Sequence, residues 1–295
     1  MSDPILDELI ATLRANDLDL ADDPGPLRVA YEDMFAAFPV AEDLTVENTE
    51  IGGVPAVSVK VPGSAGGVVL YFHGGGYVIG SAKGYRSLAG EVARAAGMDA
   101  LAIDYRLAPE HPFPAAVDDA VAAYRALVSG GTSPEKIVFA GDSAGGGLTL
   151  AALIKLRDEG DALPAAALLI SPWADLTGSA ASIVANEHND PSLTRQGLEA
   201  CAAHYLGDED RSHPLASPAK SDLSGLPPLL VQVGSIEILL DDSLIIAANA
   251  GASGTMVRLE VHPGLPHVFH AFNFMLPQAK TALDEAGAFL ARHAS

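Results

Sequence analysis

Cysteine occurs once in the 295 residues, as Cys201. No intramolecular disulfide forms, and a reducing, cytoplasmic setting is the expectation. Basic residues are scarce: 17 Lys and Arg face 38 Asp and Glu, for a formal charge of −21. Such a surface repels phosphate backbones and anionic membranes, so neither nucleic acid nor membrane is an expected partner. Solubility is the plain reading of the acidic balance, and tolerance of salt the sharper one. No apolar run reaches the roughly 18 residues of a membrane span. Met1 to Leu13 lacks the basic and apolar regions of a secretory signal. Internal repeats and low-complexity tracts are absent. The nine histidines form no H-E-x-x-H, and His267 with His270 has no third ligand at a recognised spacing, so no metal site is expected.

What is present suits one large α/β domain: nearly half the residues are hydrophobic, enough for a sizeable core. Leu6, Leu9, Ile10 and Leu13 recur at helical spacing, which predicts a helix over 3–14. Asp22-Asp23-Pro24-Gly25-Pro26 breaks the chain before a second helix near 27–38. Short apolar runs at 68–72, 100–103, 136–140, 166–170, 229–233 and 256–261 read as strands. Helical stretches near 84–96, 115–128, 144–158, 241–251 and 278–292 alternate with them. That alternation argues a mostly parallel sheet covered on both faces. It lapses between about Ser179 and Leu226, where turn signals, charges and a helical piece near 194–206 predict an insertion. With residues 1–40 this insertion reads as a lid.

Gly141-Asp142-Ser143-Ala144-Gly145 matches G-x-S-x-G where strand 136–140 should turn into helix 144–158, the context that exposes a nucleophilic serine. The turn strains the serine backbone, and the flanking glycines let neighbouring segments approach without a Cβ clash. The helix N-terminus adds positive potential where an oxyanion would form. A phosphate loop would want a lysine after the glycines, and none follows. His73-Gly74-Gly75-Gly76 after strand 68–72 is a candidate oxyanion hole, to be completed by the Ala144 amide. One such donor is worth about 2.7–4 kcal/mol. His73 is expected to order its loop rather than act as a base.

The fold's chain order is serine, acid, histidine. His267 follows the last strand in Pro263-Gly264-Leu265-Pro266-His267 and is the expected base, with His262 and His270 as rivals. The acid should follow strand 229–233. Asp241 and Asp242 look like a helix opening, where carboxylates suit the dipole, which leaves Glu237 in the loop as the expected acid and the two aspartates as alternatives.

Taken together these motifs resemble the bacterial hormone-sensitive-lipase-like esterases (family IV carboxylesterases) of the α/β-hydrolase superfamily. The resemblance spans roughly residues 67–275. Besides the motifs above, it includes Asp104-Tyr105-Arg106-Leu107-Ala108-Pro109-Glu110, Phe113-Pro114-Ala115 and Ser171-Pro172-Trp173. It implies an eight-stranded sheet under a helical cap. The cap would comprise 1–40 and 179–226; the catalytic domain, 41–178 and 227–295. It implies carboxylesterase activity on short acyl chains without a cofactor, and Gly75 and Gly76 as the chief oxyanion donors. Relatives carry an Asp-Pro-Leu-type acid loop. Here Gly234-Ser235-Ile236-Glu237 departs from it, yet alignment of Leu239 and Asp241 places Glu237 on the acid. His267-Val268-Phe269 replaces the common His-Gly-Phe, which bears on the acyl pocket. Asp104 and Arg106 are expected to share a scaffolding polar network, with Pro109 stiffening the loop. A homodimer paired through the edge strand near 256–261 and the final helix is also implied. The rival readings are a lactonase or metabolite deacetylase with the same triad and, further off, a small-molecule receptor.

Overall fold

A computed structural model describes residues 3–16 and 18–294. Met1, Ser2 and Asp17 of the 1–40 segment, and Ser295 at the end of the catalytic segment, lie outside the described residues.

One eight-stranded sheet organises the chain. Its strands are β1 (Thr45–Ile51), β2 (Val54–Lys60), β3 (Val68–Phe72), β4 (Asp99–Ile103), β5 (Ile137–Asp142), β6 (Ala166–Ile170), β7 (Leu229–Gly234) and β8 (Val257–His262). They lie in the order β1-β2-β4-β3-β5-β6-β7-β8. The pairs β1–β2 and β2–β4 are antiparallel and every other pair is parallel. β5, β6 and β7 are buried at every position, which is why they read as apolar runs rather than alternations. The β1–β2 hairpin carried no such signal. β1 sits at the sheet edge with most of its residues exposed, so neither a buried run nor a clean period-2 pattern marks it. Its turn is Gly52-Gly53, both at positive φ (62° and 81°), as a two-residue hairpin requires.

Helices α1 (Pro4–Ala15), α2 (Pro24–Ala36), α3 (Arg86–Ala96), α4 (Ala115–Ser129), α5 (Ala144–Asp158), α6 (Ala181–Ala185), α7 (Arg195–Leu206), α8 (Leu240–Ala252) and α9 (Pro277–His293) complete the fold. Among the described residues no helix is long and apolar enough to cross a membrane. One large core cluster joins Leu70, Phe72 and Phe139 of the sheet to α4 and α5; the other joins Val69, Tyr71 and Leu168 to α3 and α9. Alternate residues of a strand thus feed opposite faces. α1 opens on Asp3, whose Oδ1 accepts from the amides of Ile5 and Leu6 and whose Oδ2 accepts from Gln278 Nε2 (2.7 Å). Leu9 then packs with Leu265, Phe269 and Leu276, so the N-terminal helix rests on the C-terminal loops.

The strand order decides where a site forms. The chain runs from β3 to β4 on one side and returns to lay β5 on the other side of β3. The loops leaving β3 and β5 therefore diverge and open a crevice at the carboxyl ends of the strands. Between β6 and β7 the chain makes its long excursion, carrying α6 and α7.

Candidate active site

Ser143 lies between the last residue of β5 and the first of α5, with φ 52° and ψ −122°. A non-glycine residue there is strained, and the surroundings hold it. Its N–H donates to Ile170 O (2.8 Å) and its carbonyl accepts from Trp173 N (2.8 Å). The flanking glycines are steric necessities. A Cβ on Gly141 would strike the Gly145 carbonyl, and one on Gly145 would strike the Phe72 carbonyl.

His267 lies five residues beyond β8, and its Nδ1 is 2.8 Å from Glu237 Oε2. That distance to a carboxylate puts the proton on Nδ1 and leaves Nε2 as the free acceptor. Burial alone would lower the imidazole pKa. The hydrogen bond and charge of Glu237, joined by the charges of Asp190 and Asp142, outweigh it, and the net shift is upward. Glu237 is fully buried. Its Oε1 accepts from Ser171 Oγ (2.7 Å) and from Gly234 N (2.5 Å). Ser171 Oγ in turn accepts from Val268 N (3.2 Å), next to the histidine. Ser171 itself sits at φ 45°. Sequence reading met it only inside the Ser-Pro-Trp motif, with no sign that it braces both the Glu237 and His267 loops.

Ser143, His267, Gly75 and Gly76 line one cavity of about 900 Å³, counting its open mouth. Leu13, Leu27, Phe35 and Phe38 from the N-terminal segment, Leu193 from the β6–β7 excursion and Phe272 form much of its apolar wall. Gly75 and Gly76 adopt φ 109° and 61°. A Cβ at Gly75 would collide with the Ile79 carbonyl, and at Gly76 with Cys201 Sγ at 2.5 Å. Neither glycine N–H has a protein acceptor among the described residues. Ala144 is fully buried beside Ser143.

Gly74 departs from expectation. Its N–H donates to Asp142 Oδ1 (3.1 Å), so of the expected donors this amide already has an acceptor. Asp142 also accepts from Tyr71 O–H (2.8 Å). Burial pushes its carboxyl up to about 6 against the pull of these donors and of His267. The variable position of G-x-S-x-G thus clamps the glycine loop onto the nucleophile turn.

His73 orders that same loop. Its Nδ1 is 2.7 Å from Gly74 O, its ring stacks on Tyr105 at 4.3 Å, and burial lowers its pKa. Across the loop, Tyr77 stacks on Tyr205 of α7 at 3.8 Å. Arg28 of α2 donates to Val78 O (2.8 Å) and Ala108 O (2.7 Å) and pairs with Glu110. Asp104 and Arg106 do not share a network. Asp104 Oδ1 accepts from Ala82 N (2.6 Å), while Arg106 forks onto Asp119 of α4. Each side chain meets a partner on a different neighbouring element, which sequence proximity does not reveal.

The other candidates for base and acid lie against groups other than Glu237 and His267, His262 without a hydrogen bond from Nε2 among the described residues. His262 Nε2 lies 3.7 Å from Glu260, and the fully buried His270 bonds Gln232 Oε1 through Nε2 (3.1 Å). Gln232 Nε2 donates to Glu260 and to the Ala282 carbonyl. Its Oε1 must therefore be the acceptor, and His270 is neutral with its proton on Nε2. Asp241 Oδ2 accepts from Ser182 N (2.9 Å), and Asp242 Oδ2 from Ala174 N (2.7 Å) and Asp175 N (2.9 Å). Both sit in the first turn of α8, as expected, but their partners belong to the β6–β7 excursion rather than to their own helix.

Burial raises the Asp242 carboxyl to about 7. A folded-state value above the unfolded 3.8 means stability is fullest in acid and declines as pH rises toward 7, levelling beyond it. In Asp242→Asn one oxygen still accepts both N–H bonds and no charge is buried. The variant should gain on wild type by on the order of 2 kcal/mol between about pH 5 and pH 8, read from denaturant midpoints. A gap that stays constant with pH would contradict a buried ionising carboxyl.

Comparison with known proteins agrees with this architecture. Residues 69–271 match the family model described as alpha/beta hydrolase fold. The chain belongs to the bacterial hormone-sensitive-lipase-like esterases of the α/β-hydrolases and is a serine carboxylesterase. An acetyl-hydrolase of Streptomyces hygroscopicus is 45% identical over 265 residues, covering 90% of this chain and 89% of that protein. A solved esterase from the bacterial hormone-sensitive lipase family superposes with a TM-score of 0.96 at 44% identity, covering 100% of both chains. EstE5, crystals of which were soaked with p-nitrophenyl butyrate, superposes with a TM-score of 0.94 at 44% identity over 99% of both chains.

Proposed function

We propose that this chain hydrolyses short-chain acyl esters through a Ser143–His267–Glu237 triad and an acyl-enzyme. The observation that carries this reading is the 2.8 Å contact of His267 Nδ1 with buried Glu237, at a cavity that the strained Ser143 also lines. His267 Nε2 takes the Ser143 proton as Oγ attacks the ester carbonyl. Glu237 holds the imidazole in the required tautomer and stabilises its cation. The amides of Gly75, Gly76 and Ala144 receive the oxyanion. His267 then protonates the departing alcohol, and water repeats the cycle on the acyl-enzyme. Residues 1–40 and 179–226 act as the cap that supplies the apolar wall. Two copies pair through the free edge of β8, where Met256 and Val261 are exposed, and light scattering on a sizing column reads that mass.

The test is p-nitrophenol release across acyl lengths, acetate first because the Streptomyces relative is named an acetyl-hydrolase, with parallel labelling by diethyl p-nitrophenyl phosphate. Rates should fall from short to long chains, and the label should appear on the Ser143 peptide in step with lost activity. Inactivation with the label on another residue would overturn the assignment. Turnover of a lactone with none of these esters would shift the reading to the lactonase.

A further inference from the structure

The excursion between β6 and β7 reaches the Glu237 loop as well as the cavity. Asn186 Nδ2 donates to Glu237 O (2.8 Å) and Ser235 O (3.2 Å). Ser182 Oγ donates to Ile238 O (2.7 Å) and accepts from Asp241 N (3.1 Å). Asp190, 8% exposed, accepts Ile238 N–H on Oδ2 (2.9 Å). Its Oδ1 accepts from Ser192 N (2.9 Å) and Leu193 N (3.1 Å), both on the cavity wall.

One buried carboxylate thus ties the residue following Glu237 to the strand of chain that faces substrate. Three N–H donors on two oxygens suit an ionised carboxylate and nothing else of that shape. An amide offers one accepting oxygen and would turn N–H toward N–H on the other side. We propose that Asp190 is a positioning residue for the base–acid pair: it fixes the loop that presents Glu237 to His267 and adds a second negative charge near the imidazole. This deepens the triad reading above and rests on it.

The charged groups facing His267 come from three elements: Glu237 after β7, Asp142 at the end of β5 and Asp190 in the excursion. Beyond the histidine's own segment, His270 is held neutral, with His262 and Glu260 behind it. Burial, helped by the nearby Glu237 charge, leaves the Asp190 carboxyl above the ordinary aspartate range, although His267 and the N–H donors lower it in part. Removing its charge should therefore lower the basicity of His267, an effect that a purely structural tie would not produce.

The experiment compares Asp190→Asn and Asn186→Ala with wild type on p-nitrophenyl butyrate, with active sites counted by organophosphate titration. In Asp190→Asn, kcat per active site should fall about ten- to a hundredfold with KM within about twofold. The acid limb of kcat/KM should move down by about half a pH unit or more. Asn186→Ala removes two loop bonds without touching a charge. Its kcat should fall several-fold while the limb stays in place. Wild-type kcat and an unmoved limb in folded Asp190→Asn would overturn the proposal, as would a change in KM alone. If Asp190→Asn does not fold, wild-type kcat in Asn186→Ala overturns it instead. Failure of wild type to react with the organophosphate at Ser143 would strike the triad itself, a result separable from either variant.

Discussion

Ser143→Ala should lower kcat on p-nitrophenyl butyrate by about 10^4-fold or more while leaving the melting temperature within a few degrees. The size of the loss follows from chemistry: without Oγ there is no acyl-enzyme, and His267 has no nucleophile to activate. The fold should survive because the serine's structural bonds are made by its backbone. Its N–H to Ile170 and its carbonyl to Trp173 are kept by alanine. A folded variant with wild-type turnover, free of contaminating esterase, would remove Ser143 from the mechanism.

Glu237→Gln should cost about 10^3 to 10^4 in kcat, again with a folded protein, because the damage is tautomeric. Glu237 Oε1 holds the Ser171 hydroxyl and the Gly234 amide, both donors. A glutamine must therefore keep its oxygen there and turn its NH2 toward His267. The imidazole then accepts at Nδ1, which places its proton on Nε2, the nitrogen that the proposed mechanism needs free. In that tautomer it cannot take the serine proton. Asp241→Asn and Asp242→Asn should retain turnover, since those carboxylates hold Ser182, Ala174 and Asp175 rather than the histidine. Loss of activity in either aspartate variant with retention in Glu237→Gln would reverse the assignment of the acid.

The two variants also separate what kind of group each residue is. On the proposed mechanism Ser143 reacts, so its loss removes a step, whereas Glu237 stays clear of substrate and selects which nitrogen of His267 is free. Asp190 lies one remove further back, and smaller effects are expected there because three other contacts, from Asn186 and Ser182, still hold the loop.

By itself the sequence determined the strand–turn–helix around Ser143, the glycine loop after β3 and six of the eight strands, and it picked out Glu237 and His267, which the fold brings into contact. Each of these is written locally: an apolar run, a glycine where a Cβ cannot fit, a proline or helix start at a fixed offset. The β1–β2 hairpin was not legible, the family resemblance implying only the number of strands, because an exposed edge strand buries too little to show a pattern. What the tertiary structure alone decided is which polar groups meet. Gly74 was an oxyanion donor by motif, yet its amide belongs to Asp142, 68 residues away. Ser171 braces Glu237 across 66 residues, and Asp190 reaches Ile238 across 48. Such pairings are set by strand order, which brings segments distant in the chain together beyond the carboxyl ends of β3, β5, β6 and β7 in a dry interior. There a hydrogen bond left unmade costs about 1–3 kcal/mol. Burial makes those partners matter, and burial is a property of the folded chain rather than of any stretch of its sequence.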